Sequence, residues 1–343
     1  MASMRAVIIT PDGALAWREV DDPVAAPHEA LVEVHATALN RADLSQRAGH
    51  YPPPPGESDV LGLELSGTVR TVPDGDHGWS VGDPVCALVA GGGYAELARV
   101  PVEMLMPVPR GWSFAEAAAM PEVFYTAYLN LVIEGALQRG EQVLIHGGAS
   151  GVGTAAIQVA RHRGCEVAAT AGTTEKVRAC ADLGAELAIN YRDADFAEIV
   201  QAAWGGVDVV LDMVGTDTFA RNLELLRVGG RLVVIATLSG HKATIDLRTL
   251  MARRARVLGS TLRNRPLAEK IALRDAIVAD LWPAFEARSV APVIDRVVAI
   301  EEVEAAHARM RANQNVGKIV LSVRGGASGR DEASGRGEDE SDR

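Results

Sequence analysis

The sequence predicts a two-part α/β protein, in which a β-rich part precedes a doubly wound parallel sheet. Three observations support this fold class. Short strand-like runs separated by Pro, Gly and Asp fill residues 4–125. From about residue 140, short apolar runs alternate with helical patterns, which is the rhythm of right-handed βαβ crossovers. A glycine-rich turn joins the first of those runs to the helix that follows it.

Four runs in the first part have the composition of strands. Residues 30–38 alternate apolar and polar side chains, as a half-buried strand does. A short helix is predicted near the end of this part. The predicted strands are 4–10, 30–38, 66–72 and 93–100, and the predicted helix is 116–120.

The second part alternates regularly between the two element types. Its predicted strands are 143–146, 166–171, 187–190, 207–212 and 231–236, with a possible sixth at 257–262. Its predicted helices are 151–163, 175–183, 196–203 and 218–226. A long helix at 267–287 follows, and Pro283 is expected to kink or end its last turn. The remaining predicted elements are a strand at 293–299, a helix at 301–312 and a strand at 318–323.

The glycine-rich turn lies in the segment VLIHGGASGVGTAAIQVA, residues 143–160. Backbone N–H groups and the helix dipole make such a helix N-terminus attractive to phosphate. The glycines follow G-x-x-x-G-x-G rather than the G-x-G-x-x-G fingerprint, so the pattern alone is weak. Its place between an apolar strand and a helix favours dinucleotide binding over an ordinary turn. The predicted ligands are Gly147, Ser150, Gly151, Val152 and Gly153.

Composition limits the other function classes. A net charge of −11 argues against a nucleic-acid partner or an anionic membrane surface. No segment reaches the about 18 apolar residues that a membrane span needs, and no signal peptide is recognised. The three cysteines lack metal-binding spacing and suit a reducing cytosol, so a cytoplasmic location is expected. Residues 324–343 have no apolar side chain larger than that of alanine and are predicted to be a disordered tail.

Further strings agree with the glycine-rich turn: ALNRADLSQRAGHYPPPPG, DVLGLELSG, GGGYAE and NVGKIVL. Over about residues 4–323, the chain resembles the zinc-free quinone oxidoreductase branch of the medium-chain dehydrogenase/reductase superfamily. The resemblance is to its stress-inducible NADPH:quinone oxidoreductase type. It implies a GroES-like domain (residues 1–125), a Rossmann domain (126–265) and a return segment (266–323) that completes the first domain. It also implies an NADPH molecule in the cleft between the domains.

The zinc ligands of related alcohol dehydrogenases are missing. Those enzymes hold a catalytic zinc with a Cys, a His and another Cys or acid. Asn40 stands at the first Cys position, and the expected Gly-His-Glu reads Gly62, Leu63 and Glu64. A structural zinc lobe would need four closely spaced cysteines. No metal is therefore predicted, which disfavours alcohol oxidation but not reduction of a conjugated carbonyl.

In the family, Asn40 and Tyr51 reach the nicotinamide end of the cleft, so they are the predicted catalytic residues. Both can hydrogen-bond a carbonyl oxygen, and a Tyr O–H can also donate a proton. Asn40 could instead stabilise a turn, and Tyr51 could be a packing aromatic. Asp43 is expected to cap or orient its neighbours. Glu64 could serve either a buried structural network or the cleft.

The end of the second parallel strand bears on cofactor choice. An NAD enzyme usually carries an acid there that binds the ribose hydroxyls. Neither Ala171 nor Gly172 is acidic, and Lys176 follows within one turn, which favours the 2′-phosphate of NADPH. Tyr191 matches a family position that flanks this phosphate. The alternatives are a solvated helix charge for Lys176 and a surface packing role for Tyr191.

The resemblance assigns two further residues to the cofactor. Thr126 matches the position that meets the nicotinamide, although its hydroxyl could bond its own backbone. Lys318 belongs to the N-x-G-K segment that returns to the cleft, although it could lie in a surface turn. Asp212 is expected to be a structural cap, and His146 a satisfied core histidine.

The sequence thus predicts a zinc-free, NADPH-dependent reductase of quinones or related α,β-unsaturated carbonyls. An enoyl or alkenal reductase on the same fold is one alternative, and an NADPH-binding redox sensor with little turnover is another. Small-molecule substrates are the expected partners. A homodimer is also expected, formed by pairing the edge strand near 257–262.

Overall fold

The computed structural model describes residues 2–324, so the predicted disordered tail lies, apart from Arg324, outside the described residues. The first part holds seven strands, three short α-helices and a 3₁₀ helix at Val102–Met104. Its strands are β1 (Ser3–Ile9), β2 (Leu15–Asp21), β3 (Glu29–Ala38), β4 (Glu64–Thr71), β5 (Pro84–Leu88), β6 (Leu97–Pro101) and β7 (Leu105–Pro107). Its helices are α1 (Arg41–Arg47), α2 (Phe114–Ala118) and α3 (Pro121–Tyr128).

The second part alternates strands and helices as predicted. Its strands are β8 (Gln142–Ile145), β9 (Glu166–Ala171), β10 (Leu187–Asn190), β11 (Val207–Asp212), β12 (Leu226–Val234) and β13 (Arg256–Gly259). Its helices are α4 (Gly151–His162), α5 (Thr174–Asp182), α6 (Phe196–Trp204), α7 (Thr216–Leu225) and α8 (Leu247–Arg253). The chain then continues through α9 (Leu267–Glu286), β14 (Ile294–Ala299), α10 (Val303–Arg311) and β15 (Lys318–Ser322).

The second-part strands form one parallel sheet in the order β10-β9-β8-β11-β12-β13. The order reverses direction at β8, which is the topological switch point of a Rossmann-type sheet. Ligands of such sheets bind outside the carboxyl ends of the strands at that point. The glycine-rich turn follows β8 directly, so the fold puts it where a dinucleotide is expected.

The last two strands return to the first part. They extend a seven-stranded sheet in the order β14-β15-β3-β4-β5-β7, with β6 also paired to β3. β15 pairs antiparallel with β3, so Val320 lies opposite Ala38. This GroES-like sheet therefore combines strands of the first part with two strands from residues 294–322. The return brings Lys318, the first residue of β15, to the end of β3.

Helix α3 lies where the two parts meet. It packs against α4 of the second part and against α9. Phe124 on α3 packs edge-on against Phe285 of α9, with 5.0 Å between ring centroids. No helix within residues 2–324 is long and apolar enough to cross a membrane.

Several predicted boundaries need correction. The strand predicted at 231–236 covers Leu226–Val234, and the helix predicted at 116–120 covers Phe114–Ala118. The sixth strand covers Arg256–Gly259 rather than 257–262. The strand predicted at 93–100 covers Leu97–Pro101. Helix α9 has almost the predicted bounds, and Pro283 does not end it, since the helix continues to Glu286. The carbonyl of buried Phe285 accepts the Trp112 Nε1–H at 3.1 Å, which anchors this last turn.

Candidate active site

The turn between β8 and α4 is built for close approach of the backbone. A Cβ at Gly153 would lie 2.2 Å from the Gly147 carbonyl oxygen, so only glycine fits there. Ser150 caps α4, and its Oγ accepts the Gly153 N–H at 3.0 Å. The first amides of a helix have no helical partner. Those of Gly151 and Val152 therefore remain available to an anionic ligand.

The same turn contacts the other part of the molecule. A Cβ at Gly151 would lie 2.7 Å from Lys318 Cδ and 3.1 Å from Val123 Cγ1. Gly317 also pairs with the turn, since its N–H donates to the Ala149 carbonyl at 2.9 Å. The start of α3 and the start of β15 therefore border the glycine-rich turn.

The predicted 2′-phosphate residues lie together beyond the end of β9. A Cβ at Gly172 would be 2.5 Å from the Tyr191 hydroxyl, which sits over the backbone there. Tyr191 is half exposed. The Lys176 ammonium donates to the Asn313 carbonyl at 2.6 Å, which fixes it beside the strand end.

Positive charge gathers around Lys176. Burial and the charges of Arg41 and Arg192 lower the pKa of the Lys176 ammonium, while Glu175 and Asp295 raise it. Arg41 is held by the Met310 carbonyl at 3.3 Å and by the Asn313 side chain. Several cations with no acid at the strand end suit a phosphate dianion. Sequence reasoning missed Arg41 and Arg192, although each directly follows a residue it did select.

A buried polar network lies on the first-part side of the turn. The Lys318 ammonium, on a residue only 2 % exposed, donates to the Leu39 carbonyl (2.6 Å), Asn40 Oδ1 (2.6 Å) and Glu64 Oε1 (2.7 Å). The Asn40 amide donates to Glu64 Oε1 at 2.8 Å and to the Ala38 carbonyl at 3.3 Å. Glu64 thus belongs to a structural network, one of the two roles considered for it.

This network changes the interpretation of two predicted residues. An ammonium has three donors, and all three of Lys318's are used inside the protein. Lys318 therefore borders the glycine-rich turn through its aliphatic stem, while its charge is held inside the protein. The Asn40 amide donors are likewise engaged, so in this arrangement Asn40 orients Lys318 and Glu64.

Asp43 caps α1, as expected. Its Oδ2 accepts the Asn40 backbone N–H at 2.7 Å and the Tyr94 hydroxyl at 2.9 Å. Burial raises the pKa of the Asp43 carboxyl to about 6, although these two hydrogen bonds and the Lys318 charge oppose the rise. The capping box Asn40-x-x-Asp43 marks the start of a helix that the sequence-based assignment missed.

Tyr51 lies half buried on the loop after α1, and its hydroxyl makes no hydrogen bond within residues 2–324. Arg263 holds this loop. Its Nη1 donates to the Tyr51 carbonyl at 3.1 Å, its Nε donates to the Ala90 carbonyl at 2.7 Å, and its Cζ lies 5.3 Å from the Tyr51 ring centroid. Burial and the charge of Glu122 raise the pKa of the Tyr51 phenol, while Arg263 lowers it. Sequence reasoning missed Arg263 because no motif contains it.

Glu122, in the first turn of α3, was also missed. Its backbone N–H donates to Glu64 Oε2 at 2.8 Å. Burial and the negative charge of Glu64 raise the pKa of its carboxyl to about 8. Thr126 lies one turn later on α3, and its hydroxyl has no hydrogen-bond partner in the described part of the chain. Its predicted alternative, a bond to its own backbone, is therefore not formed.

Two residues have structural roles, as predicted. Asp212 is fully buried, and its Oδ1 accepts the backbone N–H of Val214 at 2.7 Å after β11. His146 bonds Thr170 Oγ1 at 3.0 Å and Asn222 Oδ1 at 2.8 Å. Within residues 2–324, no group of three His, Cys, Asp or Glu side chains is arranged to hold a metal ion.

Known proteins share this architecture. Residues 26–110 match the alcohol dehydrogenase GroES-like domain family, and residues 151–276 match the zinc-binding dehydrogenase family. The chain is 30% identical to human quinone oxidoreductase over 87% of its own length and 90% of that protein.

Two solved structures have similar folds. The Thermus thermophilus quinone oxidoreductase, solved also with NADPH, is 35% identical with a TM-score of 0.80, covering 93% of this chain and 100% of that one. An NAD-dependent alcohol dehydrogenase is 30% identical with a TM-score of 0.83, covering 94% of this chain and 100% of that one. The same fold is thus found in proteins named for quinone reduction and for alcohol oxidation, so the residues of the site must distinguish them.

Proposed function

Because the chain belongs to the medium-chain dehydrogenase/reductase superfamily, with quinone oxidoreductases among its relatives, we propose that it reduces quinones or related α,β-unsaturated carbonyls with NADPH and without zinc. One observation carries the proposal. Gly151 lies against Lys318 and Val123, which join the glycine-rich turn to the network of Asn40 and Glu64. A dinucleotide held at the turn would have its reactive end beside that network and Tyr51.

The residues present fit NADPH. The Gly153 cradle and the amides of Gly151 and Val152 suit its pyrophosphate. Lys176, with Arg41 near it and Tyr191 over Gly172, suits the 2′-phosphate. When bound, NADPH supplies the hydride for the reduction.

The chain's own residues orient the substrate and supply the proton. We propose that the Tyr51 hydroxyl hydrogen-bonds the accepting oxygen of the substrate and donates its proton there. Arg263 holds the Tyr51 loop in place through the Tyr51 carbonyl. Asn40 acts by keeping Lys318 and Glu64 paired at the same end of the cleft.

The position of the Lys318 ammonium supports the proposal that the protein works without zinc. The Lys318 ammonium lies between Asn40 Oδ1 and Glu64 Oε1, which belong to the two segments that carry the zinc positions in relatives. A divalent cation beside this ammonium would meet strong repulsion at such short range. Conjugated carbonyls accept hydride with less help from a Lewis acid than alcohol oxidation requires.

The proposal is tested by anaerobic NADPH oxidation across a panel of quinones, enals and enoyl thioesters, with and without a strong chelator. Oxygen is excluded because semiquinone cycling would mimic turnover. Quinone turnover that survives chelation is expected. Turnover confined to enals or enoyl thioesters would favour the enoyl or alkenal reductase, and NADPH binding without turnover would favour the redox sensor.

The larger organisation is also proposed. Residues 1–125 and 266–323 would form one domain and residues 126–265 the other. β13 is the edge of the parallel sheet, with β12 as its neighbour within the chain. An exposed edge strand favours pairing with a second copy, so we propose a homodimer.

A further inference from the structure

Asn313, between α10 and β15, joins two cations that belong to different parts of the molecule. The Lys176 ammonium, on α5 of the second part, donates to the Asn313 carbonyl at 2.6 Å. Arg41, the first residue of α1 in the first part, donates through Nη2 to the Asn313 side-chain oxygen and to the Met310 carbonyl at 3.3 Å. Each oxygen of Asn313 is therefore bonded to a cation, and each cation comes from a different part of the protein.

These two cations keep donors that the protein does not use. Within residues 2–324 their hydrogen bonds go to neutral groups, and only one of the three ammonium donors of Lys176 is engaged. Two acids act on Lys176, but Asp295 is held by Arg309 at 2.8 and 3.1 Å, and Glu175 is exposed to solvent. Arg41 is exposed and Lys176 is partly exposed, so an anion from solution can reach both.

Lys176 and Arg41 lie where the adenosine end of a dinucleotide is expected. Ligands of a parallel sheet bind beyond the carboxyl ends of its strands, and a cation after the second strand accommodates a 2′-phosphate. That strand is β9, and Lys176 lies in the first turn of α5, which follows it. Thr173 caps this turn, since its Oγ1 accepts the Lys176 backbone N–H at 3.3 Å. Two cations beside one residue match the charge and the several acceptor oxygens of a phosphate.

We propose that Arg41 and Lys176 together bind the 2′-phosphate of NADPH, so that this contact bridges the two parts of the protein. The inference rests on the proposed function, in which NADPH lies at the glycine-rich turn. It adds a residue of the first part, Arg41, to a phosphate site that Lys176 alone would build from the second part. Arg41 is then a residue that determines the specificity for NADPH over NADH, because only NADPH carries the phosphate.

The bridge also connects the phosphate site with the reactive end of the cleft. Arg41 directly follows Asn40, which is the N-cap of α1. The Asn40 side chain bonds the Lys318 ammonium at 2.6 Å, and its backbone N–H donates to Asp43 Oδ2 at 2.7 Å. A phosphate that holds Arg41 therefore also holds the start of α1 and the Asn40 network. Binding at the adenosine end of the cofactor should thus steady the loop that carries Tyr51.

The first test measures binding of two adenosine fragments to the cofactor-free protein by calorimetry. The unaltered protein should bind adenosine 2′,5′-bisphosphate at least about tenfold more tightly than adenosine 5′-monophosphate. Arg41→Ala should bind the bisphosphate about tenfold more weakly than the unaltered protein does and keep its affinity for the monophosphate, which also shows that it is folded. Arg41→Gln, which keeps a donor but lacks the charge, should behave in the same way. Arg178→Ala is the matched control, because it removes one charge from α5 at a side chain that is 84% exposed.

The second test uses hydrogen exchange to ask whether binding reaches α1. Amides of residues 40–51 should exchange more slowly when the bisphosphate saturates the unaltered protein than when the monophosphate does. This difference should disappear in Arg41→Ala and remain in Arg178→Ala. Inorganic phosphate, at the concentration used for the bisphosphate, should not slow the exchange, because it lacks the adenosine that brings the 2′-phosphate to the site.

Three results would overturn the bridge: an Arg41→Ala variant that binds the bisphosphate as tightly as the unaltered protein does, exchange at residues 40–51 that is equal with the two nucleotides, or inorganic phosphate that slows this exchange as much as the bisphosphate. If the unaltered protein still prefers the bisphosphate in these cases, the use of NADPH in the proposed function stands. Equal affinities of the unaltered protein for the two nucleotides would instead contradict the use of NADPH and the bridge with it.

Discussion

At the scale of single residues, Tyr51 is the group whose chemistry can be isolated most cleanly. Tyr51→Phe removes one O–H and keeps the ring over which Arg263 lies. A lost hydrogen bond to a charged oxygen costs about 1.5–3 kcal/mol, so turnover should fall roughly 10- to 150-fold while NADPH affinity persists. Steady-state kinetics with several quinones, beside fluorescence titration of NADPH, measures both. Unchanged turnover on every quinone would remove Tyr51 from the chemistry.

In the proposed site, Lys176 is the residue that we expect to favour NADPH over NADH. Lys176→Ala should weaken NADPH binding by about tenfold or more and leave NADH binding nearly unchanged, because only NADPH carries the 2′-phosphate. Arg178→Ala on the same helix is the control, since its side chain is 84% exposed. Calorimetry gives the dissociation constants of NADPH and NADH for the unaltered protein and for both variants, and these values test the prediction. Equal affinities for the two cofactors in the unaltered protein would contradict the assignment.

The sequence identified several residues of the site, but it did not predict which residues they contact. Motifs selected Asn40 and Lys318, but the bond between them joins residues far apart in the chain at a length of 2.6 Å. Sequence patterns report local chemistry, whereas donor and acceptor pairing depends on the tertiary fold. Glu122 and Arg263 were missed for the same reason: each is ordinary in its local sequence, and only burial gives it a role.

At the scale of elements, Lys318 fastens β15 to the ends of β3 and β4. Removing one partner of a buried ion pair leaves the other charge uncompensated, so Lys318→Met should cost about 3–5 kcal/mol of unfolding free energy. Lys318→Met combined with Glu64→Gln should recover part of that loss. Urea unfolding of the single and double variants, read by circular dichroism, gives both values. A single variant as stable as the unaltered protein would show that the ammonium contributes little.

The packing of α10 should make stability sensitive to acid. Burial lowers the pKa of His307 to about 4, so between about pH 6.5 and 4 the unfolded chain binds more protons than the folded one. The His307 contribution is complete above about pH 6.5 and is lost as the pH falls, amounting to about 3 kcal/mol. The raised pKa of Asp43 acts with the opposite sign over part of this range.

Comparison of the unaltered protein with His307→Gln separates these two effects. Urea unfolding at pH 7 and pH 5 should show a smaller acid-induced loss in the variant. Equal losses in both proteins would mean that His307 does not carry the acid sensitivity.

Elements with strong periodicity were predicted well, and those held by tertiary pairing were not. β9, β10 and β11 have the predicted bounds, because parallel strands are continuous apolar runs. β5 and β7 are short strands whose place is set by their partners in the sheet. Helix α8 was missed because it presents no fully buried face.

At the scale of the whole molecule, the exposed edge of the parallel sheet determines the proposed assembly. If β13 pairs with its copy, the six-stranded sheet continues across a two-fold axis. Light scattering at micromolar concentration should then give twice the 36.2 kDa chain mass. A strictly monomeric mass would contradict the homodimer.

The position of the Lys318 ammonium also limits how this protein could be redesigned as a metalloenzyme. Changing Asn40 to Cys and Leu63 to His would restore ligand types, yet position 40 lies against the Lys318 ammonium, which is paired with Glu64. The Lys318 ammonium would repel a bound metal ion, and it cannot be removed by dialysis because it belongs to the polypeptide. A redesign would therefore replace Lys318, and this would also remove the ion pair that joins β15 to β4. Metal binding at position 40 and the ion pair between β15 and β4 would therefore place opposing requirements on Lys318.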